Sequence, residues 1–336
     1  MRDSTPKARL LELVRGHRIT DMIATVVRLG IPDILARGAA DAPAIAVATG
    51  THAPTLYRLL RAVAATGILH EDDLGRFSLT DAGSYLVADH PDSLHAWVSL
   101  LDSTPTREAW AHLEHSVRTG ENAFTALHGE DIWTWRRHEP EEAAVFNRAM
   151  TALSAGVGGA VAAGYDFAGH SVVADIGGGS GSLLAGILGA HPHLRGILFD
   201  QPAVVADHEE LARAGVLDRC DVVGGSFFDG VPGGADVYVM KAILHDWEDP
   251  ECVAILGNIR VQVPATGRLL VVERVVGPPN EDLEGKLSDL HMLIMPGGRE
   301  RTEAEWTDLL ARGGFHLDEI RPLPAAWRLL VATPAS

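Results

Sequence analysis

The chain has 336 residues, 45 of them acidic and 28 basic, for a formal net charge of −17. That balance argues against nucleic acid or an anionic membrane as partner, because both select clustered Lys and Arg, and leaves a small molecule as the expected ligand. At roughly 100 to 200 residues per domain the length suits two domains.

The N-terminal stretch MRDSTPKARLLELV lacks the apolar core of a signal peptide, and nowhere do the ~18 apolar residues of a membrane helix run together, so a cytoplasmic protein is expected. From about Thr20 to Ala88 apolar positions recur at helical spacing, punctuated by glycine, which predicts a bundle of short helices. Within it, TLYRLLRAVAATG reads as a helix stopped at Gly67, followed by a hairpin around Asp73 to Gly75, the arrangement of a winged helix. A DNA-reading module is thereby a rival hypothesis. Its recognition helix would offer only Arg58 and Arg61, and Glu71 to Asp73 would place acid in the wing.

Residues 131–164 are again helical in pattern. From Ser171 onward strands and helices alternate: VVADI, SLLAGILGA, RGILF, AVVADHEELARAG, CDVVGG, ADVYVMK, ECVAILGNIRVQV and RLLVVE. Such a rhythm predicts a parallel sheet with helices on both faces. The chain closes with helix EAEWTDLLARGG and strands FHLDEIR and AWRLLVAT. Asp249 before Pro250 reads as a helix N-cap, and Thr302 with Glu305 as a capping box. Cys220 and Cys252 are read as reduced thiols, and the pairs His112/His115 and His191/His193 lack companion ligands at zinc spacing, so no metal is expected.

The densest signal is VVADIGGGSGSL. Gly177, Gly179 and Gly181 allow a sharp turn and a close approach of backbone to ligand. The dinucleotide fingerprint is met only loosely, since Ser182 stands at its last small position. Asp175 would repel a pyrophosphate but suits a cationic ligand with an ammonium and a sulfonium, and Asp200, ending the next strand, can accept hydrogen bonds from ribose hydroxyls. These features point to S-adenosylmethionine.

With that loop, LFDQP, GSFFD, VMKAILHDWEDP and DLHMLIMPGGRERTEAEW, the chain resembles the small-molecule O-methyltransferases that include plant caffeate and flavonoid enzymes and bacterial polyketide-tailoring enzymes. The resemblance implies an α/β fold: a Rossmann-like catalytic domain, mostly parallel with a C-terminal antiparallel hairpin, joined to an all-α winged-helix-like dimerisation domain. It places that dimerisation domain in residues 1–100, a helical linker contributing to the acceptor pocket in 101–165, and the cofactor domain in 166–336. It further implies a homodimer, contacts from Ser226, Phe227, Phe228 and Lys241 to the adenine end of the cofactor, and an aromatic acceptor held by Trp133, Phe146, Met150, His291, Met292 and Met295. Ser226 departs from the Asp common in the family at this place.

A phenol ionising near 10 is a poor nucleophile at neutral pH, and a base titrating close to 7 is the usual match for removing its proton. His245, following the apolar strand ADVYVMKAIL at the carboxyl edge of the sheet, is the candidate base. By resemblance Glu273 and Glu300 flank it, and Asp246 could assist or form an Asx turn. Two rivals remain: a methyltransferase fold turned to hydroxylation or decarboxylation, and a winged-helix regulator sensing a small molecule.

Overall fold

The structure, a computed structural model, describes residues 5–154 and 156–335; the first four residues of the N-terminal stretch read above lie outside them. It divides into two compact units, one with the described residues of Met1–Arg107 and Pro140–Leu153, the other with those of Glu108–Glu139 and Ser154–Ser336. The segment 101–165, expected as a single linker, is thus shared between the two. The physical reason on one side is apolar: Ala109, Phe124 and Ile132 are buried in one cluster with Ile294 and Met295, and Asn122 donates to the carbonyls of Leu293 (2.8 Å) and Met295 (3.1 Å).

In the first unit, helices Gly16–Arg28, Ile31–Leu35, Ala42–Thr49 and Ala53–Ala64 close over a core of Ile31, Ile45, Leu60, Val63 and Phe77. Strands β1 (Ala40–Asp41), β2 (Leu69–Glu71) and β3 (Arg76–Leu79) form a small sheet in the order β1-β3-β2. The Asp72 carboxylate accepts the backbone N–H groups of Leu74 and Arg76, both at 2.9 Å, and closes the turn between β2 and β3. The expected helix, stop and hairpin are all present.

The second unit is built on a seven-stranded sheet of order β6-β5-β4-β7-β8-β10-β9. Its strands are β4 (Val172–Ile176), β5 (Arg195–Asp200), β6 (Cys220–Gly224), β7 (Val237–Lys241), β8 (Arg268–Glu273), β9 (Phe315–Pro322) and β10 (Arg328–Pro334). Strands β4 to β8 run parallel, and β10 pairs antiparallel with both β8 and β9. Alternate residues feed two cores. Tyr238 and Met240 join Ile255, Ile259 and Trp306 on one face, while Val237 and Val239 join Leu184, Leu188 and Leu329 on the other. The strand order reverses between β4 and β7, and open α/β sheets bind ligands outside the carboxyl ends of their strands at such a point. Those ends carry Asp175, Asp200, Lys241 and Glu273.

Two local expectations differ from the structure. AVVADHEELARAG forms two short helices, Pro202–Val205 and Glu209–Arg213, because His208 Nδ1 bonds the Val205 carbonyl at 2.9 Å and interrupts the run. Helix Asp249–Gln262 has Glu248 as its N-cap, so Asp249 is the first helical residue and its carboxylate is left for Arg301 and Arg312. The capping box of Thr302 and Glu305 forms as expected. Among the described residues no helix is long and apolar enough to cross a membrane.

Candidate active site

The loop between β4 and helix Ser182–Ala190 holds Gly177, Gly179 and Gly181 at φ of 73°, 58° and 88°. A Cβ on Gly178 would lie 2.7 Å from the Asp175 carboxylate, so only glycine lets the loop pass over that group. Asp175 itself is 1% exposed and its Oδ2 has no hydrogen-bond partner among the described residues. Burial, reinforced by the charge of Asp200 and opposed by Lys241, pushes it up to about 7. Asp200 accepts the N–H of Gly179 at 2.9 Å and of Gln201 at 2.6 Å, yet burial still raises it above the usual carboxylate range. Two carboxylates at the switch point, one with an orphaned oxygen beneath a glycine-rich loop, fit a cationic, ribose-bearing ligand.

Lys241 lies with its Nζ 4.5 Å from the centre of the Trp327 ring, and burial lowers it to about 8 against the pull of Glu273 and Asp175. Ser226 spends its hydroxyl on the N–H of Phe228 at 3.3 Å. Asn258 donates to the carbonyls of Phe227 (2.8 Å) and Phe228 (3.0 Å), and both rings approach Trp247 edge-on, at 6.1 and 4.8 Å.

His245 stands on a short 3-10 turn, Leu244–Asp246, just after β7. Its Nδ1 is 3.0 Å from Glu300 Oε1 and 3.5 Å from Glu273 Oε2. Both carboxylates are themselves fixed: Glu273 Oε1 accepts the N–H groups of Ile243 and Leu244 at 3.0 Å each, and Glu300 Oε1 accepts the Ser288 hydroxyl at 2.7 Å. Nε2 has Asp246 Oδ1 at 3.6 Å, outside hydrogen-bond range, and no other partner among the described residues. Burial alone would depress the imidazole, but Glu273, Glu300 and Asp246 outweigh it and push it up to about 10. This corrects the expectation of a group titrating near 7: the flanking acids that orient the ring also hold its proton. Burial raises Asp246 to about 7 and moves Glu273 upward, whereas its bond from His245 keeps Glu300 low despite burial.

His245, Glu273 and Glu300 offer donor atoms within 4.8 Å of one another, close enough to embrace a cation. Within that group Nδ1 and Glu300 Oε1 already stand at hydrogen-bond distance, 3.0 Å.

Trp133 lies nearly parallel to Trp247, ring centres 6.1 Å apart. His291 faces the Trp110 ring at 6.2 Å and is held neutral, lowered to about 4 by burial first and by the charges of Arg136 and His245 after it. Met292 is buried, and Met295 belongs to the cluster with Phe124 and Ile132. Phe146 and Met150 lie on helix Pro140–Ser154, in the first unit. Sequence reasoning missed Ser288, Asn258, Arg136 and Arg301 as site residues. Arg301 had a signal, its place beside Glu300 in GGRERT; Ser288 and Asn258 act through long-range side-chain bonds that no spacing announces.

Comparison with known proteins identifies the family. A family model described as an O-methyltransferase domain matches residues 110–316, and one described as an O-methyltransferase dimerisation domain matches residues 11–89. A phenazine O-methyltransferase of Lysobacter antibioticus is 39% identical over 97% of this chain and 95% of its own length. An 8-amino-8-demethylriboflavin N,N-dimethyltransferase of Streptomyces davaonensis is 35% identical over 98% of this chain and 95% of its own. The solved structure of human N-acetylserotonin methyltransferase in complex with S-adenosylmethionine is similar with a TM-score of 0.91 at 26% identity, over the whole of both chains.

Proposed function

The chain belongs to the S-adenosylmethionine-dependent O-methyltransferase family, and we propose that it methylates a hydroxyl group of an aromatic or polyketide-like small molecule with His245 as general base. The observation that carries this reading is the direction of the imidazole: Nδ1 is held at 3.0 Å by Glu300, and Nε2 has no hydrogen-bond partner among the described residues, Asp246 Oδ1 lying 3.6 Å away. Once the other nitrogen's proton is committed to a carboxylate, Nε2 is the atom that takes a proton from a hydroxyl.

S-adenosylmethionine supplies, when bound, a methyl group already activated by positive sulfur. Asp175, Asp200 and the loop of Gly177, Gly179 and Gly181 would hold it, with Ser226, Phe227, Phe228 and Lys241 toward its adenine end. As that methyl group moves to the acceptor oxygen, Nε2 of His245 would take the hydroxyl proton. A phenol ionises near 10 in water and His245 in this cluster at about 10. The flanking carboxylates favour the protonated imidazole, so His245 must first shed its own proton and turnover rises with pH.

Trp133, His291 and Met292 face the acceptor in this reading, flat and apolar apart from the neutral imidazole, which suits an aromatic ring carrying one further polar group. Residues 1–100 serve dimerisation, 101–165 the acceptor, and 166–336 the cofactor and the chemistry. The homodimer is supported by helix Pro6–Val14, which buries none of its residues while Leu10, Leu13 and Val14 stand exposed, an apolar surface that a second copy would cover. An amine acceptor is the second reading, favoured by the dimethylated substrate in the name of the riboflavin-type relative.

Calorimetric titration with S-adenosylmethionine and S-adenosylhomocysteine, followed by methyl transfer to a panel of phenols and aromatic amines with wild type and His245→Ala, tests the proposal. Binding with phenol turnover that collapses in the variant is expected. Turnover of amines alone would move the chain to N-methylation, and turnover indifferent to His245 would remove the base.

A further inference from the structure

Beneath the turn that carries His245 lies a buried guanidinium that no step above uses. Arg301 is 1% exposed. Its Nη1 donates to the Leu244 carbonyl and its Nη2 to the Trp247 carbonyl, both at 3.0 Å. Leu244 and Trp247 bracket His245 and Asp246, so one planar fork grips the backbone on both sides of the base. The fork is itself anchored, with Asp249 Oδ1 accepting from Nη2 at 2.9 Å and from Nε at 3.2 Å, and the Trp306 ring 5.4 Å from the guanidinium carbon.

The same segment meets the turn from two other directions. The N–H of Arg299 donates to the His245 carbonyl at 2.9 Å, and any Cβ on Gly298 would collide with that carbonyl. Glu300, between them, holds Nδ1. Arg299 to Arg301 thus grips one residue's backbone and ring together.

Burying a guanidinium is strongly unfavourable unless every donor is met. Here every nitrogen has an acceptor, and two of those acceptors are the carbonyls that fix His245. A core contact alone would be met as well by an aliphatic side chain. We propose that Arg301 is a positioning residue for the methyl-transfer reaction: it fixes the height of the Leu244–Asp246 turn so that the His245 ring keeps its bond to Glu300 with Nε2 free. The proposal rests on the reading of His245 as base. Lysine, a point charge on a flexible stem, cannot grip both carbonyls with one planar group.

Proton NMR of the S-adenosylhomocysteine complex reads this directly, since an imidazole N–H shared with a buried carboxylate resonates far downfield. Wild type should show that signal and His245→Asn should lack it, which assigns it. In Arg301→Lys the signal should broaden or move upfield, and kcat should fall about tenfold or more with S-adenosylhomocysteine affinity retained. Should Arg301→Lys fail to fold, Asp249→Asn, which frees the fork from its anchor, should change the signal in the same direction but less. The double variant His245→Asn with Arg301→Lys should be no slower than His245→Asn alone, because residues acting as one unit are not additive. An unchanged signal in Arg301→Lys, or effects that multiply in the double variant, would overturn the positioning role. Absence of the signal in wild type would instead remove the Nδ1–Glu300 geometry and with it the base.

Discussion

The two halves of the site are held by different means. On the side proposed to hold the cofactor, between β4 and β5, contacts are made largely by backbone: Gly177 donates to the Phe199 carbonyl at 2.8 Å and Gly179 to Asp200. On the catalytic side a side chain is held by side chains, His245 by Glu300 and Glu273, 55 and 28 residues further along the chain, and Glu300 in turn by Ser288. The first half is one stretch of chain folded on itself. The second is assembled from several strand ends and loops brought to one edge of the sheet. Binding can therefore survive damage that stops chemistry, and substitutions should sort accordingly.

The largest effect that sharpens this division is expected from His245→Asn. Loss of a positioned general base should lower kcat by roughly 10²- to 10⁴-fold, while calorimetric affinity for S-adenosylhomocysteine stays within a few-fold of wild type. An equal loss in both would break the division. Next comes Asp200→Asn, which removes a charged acceptor worth about 1.5 to 3 kcal/mol, so cofactor affinity should fall by roughly 10- to 150-fold. Its kcat at saturating cofactor should change far less.

A smaller effect concerns stability. The raised His245 stabilises the fold fully below 6.5, its ordinary value, and loses that contribution as pH rises through about 10. Between those pH values the thermal midpoint of wild type should drop further than that of His245→Asn. Parallel midpoints would mean that the imidazole does not carry the proton the geometry assigns it.

The same division explains what could be read from the chain alone. The alternation of strands and helices, the glycine loop and Asp200 are local patterns with fixed spacing, so VVADIGGGSGSL pointed to a sulfonium ligand before any contact was known. The winged helix was legible for the same reason, through Gly67 and the Asp73–Gly75 turn. Glu273 and Glu300 came only by family resemblance, since nothing local says that a strand-end Glu and a loop Glu will meet one imidazole. The height of the His245 ionisation was out of reach, because it depends on three acids sharing one buried volume. Arg301 was visible as a letter in GGRERT, but its grip on Leu244 and Trp247 depends on the loop's path under the turn. The break in AVVADHEELARAG was missed because His208 competes for a carbonyl that periodicity assigns to a helix.

The central claim is that two buried carboxylates hold His245 as the proton acceptor. Its most direct test is the pH dependence of kcat/KM in wild type and Glu300→Gln. Removing a negative neighbour disfavours the imidazolium, so the rising limb, set in wild type by a group pushed up to about 10, should move to lower pH by about one unit or more, while saturating S-adenosylhomocysteine still binds. A limb that stays in place, or that is absent in wild type, would contradict it.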